Sequence, residues 1–365
     1  MGDLITRPTV LEVDLQAFLN NIEKIKSFLP SRVQVMPVVK ANGYGTYINR
    51  RLEILNQFEI VAVATVDEGV FIRSLGYQKE IFVLNQPYFE EIGKIIESDL
   101  VVGISSDSFA KSLGEAGKPV RVHIEIGTGM GRTGINPHRA LEYLESLASN
   151  IQVEGVYTHL SSADCDFEYT KKQLASFEMA VSEIQKKVPL KYVHSHASNA
   201  ILNFADTGRY NLVRPGMIMY GYPSELETCR KIELEPTTKL KSRITFLKTV
   251  KEGTSIGYSR SFVTTKETKV ATVPIGYADG LRRALSNKGE VVIHGRKAKI
   301  IGKICMDSFM VDVTDFDEID VGDEVYIWDN ENITLEEVAE LCDTINYEIL
   351  SCISARVPRV FKEEE

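Results

Sequence analysis

Lys40 closes an apolar run, VQVMPVVK (33–40), and is followed at once by AsnGlyTyrGly after Ala41. An ammonium at the end of a buried strand is costly unless it is paired or deprotonated. Two readings fit such a lysine. It is a surface residue just past a strand end, or it is an amine whose pKa burial lowers, able to attack a carbonyl and form an imine. Other apolar runs end on residues of comparable chemical weight. VRVHIEI (120–126) carries Glu125 and leads into GTGMGRTG with Arg132; VEGVYTHL (153–160) carries His159. KYVHSHA (191–197) leads into Ser198 and Asn199, and NLVRPG (211–216) carries Arg214. Taken alone, His159 reads as a satisfied core histidine and Glu125 as a strand-end carboxylate.

The segments HASN and RPGM are built from small residues that expose backbone N–H groups, as a phosphate pocket requires. A lysine beside a phosphate pocket suits pyridoxal phosphate, and it also suits a sugar-phosphate aldolase. The later part of the chain adds IGYSRSF with Tyr258, PIGYADGLRR with Tyr277 and Asp279, and GKICMDSF with Met306 and Asp307. Each is also readable as an ordinary hairpin with an aromatic cross-strand residue.

These residues need a scaffold. Asp14 precedes apolar positions Leu15, Phe18, Ile22, Ile25 and Leu29, the spacing of one helix face, and Pro30 ends it. Short β-branched runs then recur at 33–40, 60–65, 80–85, 101–105, 120–126, 153–160, 191–197 and 211–216, with helix-like segments between most of them. FEYTKKQLASFEMAVSEIQKK (167–187) is the clearest such segment. Near-continuous apolar strands alternating with helices imply a parallel sheet covered on both faces, and eight such units imply a closed (β/α)8 TIM-like barrel. Active residues in such barrels sit at the C-terminal ends of the strands, where the chemical residues lie. Past Pro236 the pattern changes to strands separated by glycine turns (KEGTS, NKGE, HGRK, VGDE), with one helix expected at 335–345. The expected organisation is an α/β barrel domain over 1–235 and a C-terminal all-β domain over 236–365, with a boundary near 230–238; residues 1–12 are expected to pair with the second domain.

Composition narrows the function classes. The 365 residues are 44% hydrophobic and 25% charged, ordinary for a folded globular chain. A net charge of −9 without a basic block argues against nucleic acid, which demands a positive footprint. Five scattered cysteines, Cys165, Cys229, Cys305, Cys342 and Cys352, form no CxxC spacing. That argues against a disulfide framework and a structural zinc site and points to a reducing, cytoplasmic compartment. No apolar stretch is long enough for a membrane span, and the N-terminus lacks a signal-peptide pattern.

Taken together, RPTVLEVDL, VVKANGYG, TGMGRTG, TH followed by SSAD, VRPGMIMYG, IGYSRSF, VPIGYADG, GKICMD, and NYEIL followed by RVPR occur in the order found in the alanine racemases and cover nearly the whole chain. The sequence resembles that family. The resemblance implies a pyridoxal-phosphate isomerase that interconverts L- and D-alanine and supplies D-alanine for peptidoglycan. It implies that Lys40 bonds the cofactor and is one of two acid/base groups, with Tyr258 of a partner subunit as the other, so that a homodimer shares its active sites. Bases on opposite faces of Cα are what racemisation needs. The phenol of Tyr258 would be supported by His159, linked to Arg214, which faces the pyridine nitrogen. Arg132 would meet the cofactor phenolate oxygen and the substrate. Tyr44, Ser198, Asn199, Gly216, Met217 and Tyr347 would surround the phosphate, Met306 would touch substrate through its backbone, and Asp307, Lys303, Arg282 and Arg283 would line the entrance.

The chain departs from the family pattern in places. Glu125 stands where many members have a lysine open to carbamylation; as an anionic acceptor it is expected to hold Arg132 directly. Ser198-Asn199 reverses the usual Asn-Ser order, leaving the phosphate ligand open between the two. ThrTyr follows KANGYG in place of His-Gly, Gly127 replaces an aspartate, and Lys303 an arginine. Alternatives are a serine or broad-specificity racemase, a non-enzymatic pyridoxal-phosphate carrier, and a fold-related decarboxylase. The ring of Tyr347 favours a methyl side chain, and Tyr258 argues against a carrier, which needs no second base. The decarboxylase would carry a cysteine in place of Tyr258.

Overall fold

The computed structural model describes residues 6–223 and 232–362. Cys229, positions 230–231 of the expected boundary and the last three residues of the KEEE tail lie outside the described residues. Two compact units are formed: residues 6–18, 44–46 and 236–362 make one, and residues 19–43, 47–223 and 232–235 the other.

Strand β1 (Val10–Asp14) belongs to the first of these units. The second unit contains β2 (Gln34–Val35), β3 (Ile60–Val63), β4 (Glu80–Val83), β5 (Val101–Ile104), β6 (Val120–Glu125), β7 (Ile151–Tyr157), β8 (Tyr192–His194) and β9 (Leu212–Val213). Strands β3 to β8 lie side by side in chain order, all parallel, and β2 pairs in parallel with β9. Single bridges from Val38 to Ala62 and from Ala197 to Arg214 join the two groups, so the eight strands close into a barrel. They fall on the eight apolar runs of the sequence. β3 and β5 are buried at every position, as expected for strands covered on both sides. The run 33–40 yields only two ladder residues, and Pro37, without an N–H, takes part through its carbonyl, which accepts from Ala62 N–H at 2.8 Å.

Local chemistry starts the helices between the strands. The carboxylate of Asp14 accepts from Ala17 N–H at 2.8 Å and starts Leu15–Phe28. Thr65 and Glu68 form a capping box for Val66–Ser74, Ser106 caps Asp107–Glu115, and Asp166 caps Phe167–Gln185. No described helix is long and apolar enough to cross a membrane.

The barrel interior is filled by rings rather than aliphatic side chains alone. Phe82 stacks on His123 with centroids 4.5 Å apart, and Tyr157 stacks on His194 at 5.0 Å. Two glycines make room. A Cβ on Gly155 would sit 2.7 Å from the His123 ring, and one on Gly103 would collide with the Tyr157 phenol oxygen.

The other unit is built on a nine-stranded sheet. Besides β1 it holds β10 (Thr238–Arg243), β11 (Phe246–Val250), β14 (Thr268–Val273), β15 (Glu290–Ile293), β16 (Arg296–Ile301), β17 (Phe309–Asp312), β18 (Glu324–Trp328) and β19 (Arg359–Lys362), in the order β11-β14-β17-β16-β15-β18-β10-β1-β19. A small hairpin, β12 (Ser255–Ile256) and β13 (Phe262–Val263), lies apart. β1 runs antiparallel to β10 and parallel to β19. The helix expected at 335–345 is shorter, Leu335–Leu341, and a second one, Asn346–Ser351, follows it. Asp343 at φ 55° turns the chain between them, a left-handed conformation aspartate tolerates.

Candidate active site

Lys40 is half-buried at the mouth of the barrel, at the C-terminal end of its first strand segment. The residues after it are unusual. Ala41, Asn42, Gly43, Tyr44 and Gly45 have φ of 52, 54, 62, 55 and 84°, one continuous stretch of positive φ in which three residues are not glycine. Left-handed backbone costs about 1–2 kcal/mol at each non-glycine residue. Strain of this kind persists where the surroundings over-determine it. Gly43 N–H bonds to Val39 O at 3.0 Å and Tyr47 N–H to Asn42 O at 2.7 Å, which closes the turn at both ends. Burial, and then the positive charge of Arg132, lower the Lys40 pKa; Glu68 opposes them and Arg214 adds to them.

Arg214, at the end of β9, is buried, and its Nη hydrogens are committed inward. Nη1 donates to His194 Nδ1 at 2.8 Å and to His194 O at 2.9 Å; Nη2 donates to Thr158 O at 2.7 Å and to His159 Nδ1 at 3.4 Å. Among the described residues Nε makes no bond, so one N–H remains for a ligand. Burial lowers the Arg214 pKa to about 10, leaving the guanidinium charged at neutral pH. His159 is pushed down to about 3 by burial and by Arg214, so it is neutral. Its Nδ1 accepts from Arg214, which places its hydrogen on Nε2.

Glu125 does not hold Arg132, contrary to the expectation from sequence. Its carboxylate accepts from Thr133 Oγ1 at 2.8 Å and from Tyr157 Oη at 3.2 Å, while Arg132 is exposed and forms no ion pair with it. Burial raises the Glu125 pKa, against the pull of those two hydroxyls and of Arg132 and Arg214. The reason for the difference is reach: Tyr157, on the neighbouring strand at the paired position, arrives at the carboxylate first. Ser198 is buried and its Oγ accepts from Gly216 N–H at 3.0 Å, which brings the two small-residue loops together and leaves the hydroxyl hydrogen free to donate. Asn199 Nδ2 instead reaches Asp164 at 3.3 Å. Met217 is buried and begins a short 3-10 turn.

The other unit carries the remaining candidates. Tyr258 is 65% exposed, and its phenol oxygen has no partner among the described residues. It stands on a turn in which Gly257, Ser259 and Arg260 all have positive φ, and Lys303 Nζ donates to Ser259 Oγ at 3.0 Å. Met306 is 52% exposed; its carbonyl accepts from Ala278 N–H at 3.0 Å, an approach close enough that only glycine fits at 276. Asp307 pairs with Arg356 at 2.8 Å. Arg282 pairs with Glu348 at 3.1 Å, and Arg283 begins a 3-10 turn. Asp279 is fully buried and held by Arg7 at 2.8 Å, a structural clasp. The rings of Tyr44 and Tyr347 meet edge to face at 6.1 Å.

Three participants escaped the sequence reading: His123, His194 and Glu68. His194 Nε2 and His123 Nδ1 are 2.8 Å apart in the barrel core. The available signal was a histidine inside each of two apolar strands. Glu68 gave none beyond the capping pattern Thr-x-x-Glu.

The family model described as alanine racemase, N-terminal domain, matches residues 13–224, and that of the C-terminal domain matches 237–361. The alanine racemase of Halothermothrix orenii is 38% identical over 377 residues, covering 100% of this chain and 99% of its own. The chain belongs to the alanine racemase family. The Methanococcus maripaludis alanine racemase is likewise 38% identical, over 98% of this chain and all of its own length. The solved alanine racemase of Clostridium difficile 630 superposes with a TM-score of 0.92 at 34% identity, covering 99% of this chain and 97% of that one.

Alanine racemases are isomerases that use pyridoxal phosphate. The donor set at the barrel mouth fits that group. Lys40 offers an amine of lowered pKa, Arg214 an Nε–H with every other donor spent, and Ser198 a hydroxyl hydrogen aimed away from Gly216. An aldehyde, a ring nitrogen and a phosphate are the partners those three groups call for.

Proposed function

We propose that this racemase works through two bases, Lys40 and the Tyr258 of a partner subunit, in a homodimer whose sites are shared. The observation that carries the reading is the Arg214 guanidinium, whose committed Nη groups leave only Nε to face a ligand beside Lys40. When bound, pyridoxal phosphate supplies the electron sink that makes the α-hydrogen of an attached amino acid acidic. Lys40 holds the cofactor and takes or returns a proton at Cα on one face. Tyr258 does so on the other face. A phenol is a poor base at neutral pH, and the Nε2–H of neutral His159 supports its ionised form by donating a hydrogen bond. Arg214 keeps its own proton at neutral pH, so toward a ring nitrogen it would act as a hydrogen-bond donor and not as an acid.

Arg132, exposed at the barrel mouth, orients the substrate carboxylate and the cofactor phenolate, and Glu125 contributes to the region through Thr133 and Tyr157. Tyr44, Ser198, Gly216, Met217 and Tyr347 hold the phosphate, with Asn199 behind Ser198. Met306 meets the substrate through its backbone, and Asp307, Lys303, Arg282 and Arg283 guide a small zwitterion. The barrel unit would carry most of the cofactor contacts and the β-sheet unit the second base. The D-alanine made would supply peptidoglycan, and cysteines scattered without CxxC spacing suit the cytoplasm.

The test is racemisation of L-Ala and L-Ser, each followed by chiral analysis, with cofactor attachment mapped by borohydride reduction. Rapid racemisation of alanine, slow turnover of serine and a label on Lys40 support the proposal. Racemisation of neither amino acid would leave only a cofactor carrier.

A further inference from the structure

Glu68 lies on the first turn of the helix Val66–Ser74, yet its carboxylate does more than cap that helix. Oε2 accepts from Ala64 N–H at 2.8 Å and from Thr65 N–H at 3.3 Å, the local bonds of a capping glutamate. Oε1 reaches across to the preceding strand end and accepts from Ala41 N–H at 2.6 Å. That donor belongs to the residue directly after Lys40, the first of the left-handed stretch. One carboxylate thus ties the ends of β2 and β3 together at the point where the Lys40 backbone must leave its strand. A cap alone needs no such third bond.

We propose that Glu68 is a positioning residue for Lys40, gripping the strained turn that follows it and so fixing where the amine reaches. The inference rests on Lys40 being the residue that bonds the cofactor. The bond to Ala41 offsets part of the cost of a left-handed alanine, since charge-assisted hydrogen bonds are about twice as strong as neutral ones. Among the described residues, the charged and titratable groups that act on the Lys40 amine are Arg132, Arg214 and His159 on the barrel loops, and Glu68. Glu68 is the sole anion among them and the only one of these groups that favours the protonated amine.

The test combines competitive acylation of the full-length protein after the cofactor is stripped with hydroxylamine, which reads the protonation midpoint of the freed Lys40, with borohydride trapping of pyridoxal phosphate on the loaded protein. Glu68→Gln should lower the Lys40 midpoint by about half a unit to one unit, three- to tenfold more neutral amine at a fixed pH. Glu68→Asp, retaining the charge, should restore most of it. Thr65→Ala, which loses the capping hydroxyl and keeps the carboxylate, should lower the melting temperature without moving the midpoint. If the wild type traps the cofactor on Lys40 and Glu68→Gln gives the wild-type midpoint, this inference is overturned while the functional reading stands. If the cofactor is trapped on another lysine, both fall.

Discussion

Arg214 Nη1 donates to His194 Nδ1 at 2.8 Å in the centre of the barrel, and this one bond sets the hydrogens of two imidazoles. Arginine cannot accept, so His194 Nδ1 is bare and its Nε2 carries the proton. That N–H donates to His123 Nδ1, which forces the His123 hydrogen onto Nε2. Among the described residues this last buried nitrogen has no partner. The series runs outward from the guanidinium in one direction and ends on an unmatched donor. Replacing His194 by leucine removes an acceptor from a buried cation and should cost about 1–3 kcal/mol. Urea unfolding would measure it, and an unchanged midpoint would show that the bond contributes nothing.

Acid should unfold the protein through its buried histidines, among them His196 in the loop after β8. His123 and His159 are held near 3 and His196 near 4, from an ordinary 6.5, in each case chiefly by burial. Their native pKa values are depressed, so their contribution is complete above 6.5 and is lost as pH falls from there, toward about 4 for His196 and about 3 for His123 and His159. Each should withdraw about 1.4 kcal/mol per pH unit in that window, where the unfolded chain binds a proton that the native one does not. Chemical denaturation between pH 8 and 5 should show this slope; a flat profile would contradict the neutral assignment.

Tyr258→Phe should lower racemisation by about 10²–10⁴-fold, the usual scale for removing a general acid or base. Because the side chain is exposed and its oxygen unpartnered, stability should stay within about 0.5 kcal/mol of wild type. Turnover assays in both directions, with a melting curve as control, would check it.

Glu125→Gln should fold normally and lose activity by about five- to tenfold. The exchange replaces hydrogen bonds to a charged acceptor by neutral ones, a difference of about 1 kcal/mol for the pair. Steady-state kinetics would read this, and wild-type kcat/KM would remove Glu125 from the site.

Gly103→Ala should destabilise the barrel by about 1–3 kcal/mol, since the added methyl meets the Tyr157 phenol. It should also weaken activity by shifting Tyr157 from Glu125, to which it donates at 3.2 Å. Thermal unfolding with parallel assays would separate the two effects.

The barrel was legible because buried parallel strands read as unbroken apolar runs, and the chemical residues were legible because they follow those runs. Lys40, Arg214 and Ser198 needed only their own positions. Partners set by strand adjacency were not legible. Glu68 meets Ala41 only because β2 and β3 are neighbours, and His123 meets His194 across β6, β7 and β8. Glu125 was paired with the wrong partner for the same reason: Arg132 is near it in sequence, but Tyr157 stands beside it in the ladder. The turn after Lys40 was half legible, as Asn-Gly favours positive φ, whereas Ala41 and Tyr44 adopt it against their own preference.

The two hollowed strands have a bearing on how this barrel can be recombined. Gly155 exists for the ring of His123, and Gly103 for that of Tyr157. Each glycine and its ring lie on different strands, so they form matched sets that no single-strand graft preserves. A chimera that imports β6 with a bulkier residue at 123, or β5 with any side chain at 103, would bring a clash whose remedy sits elsewhere in the chain. Crossovers that keep β5 through β7 together should yield folded hybrids, and those that cut between them should not.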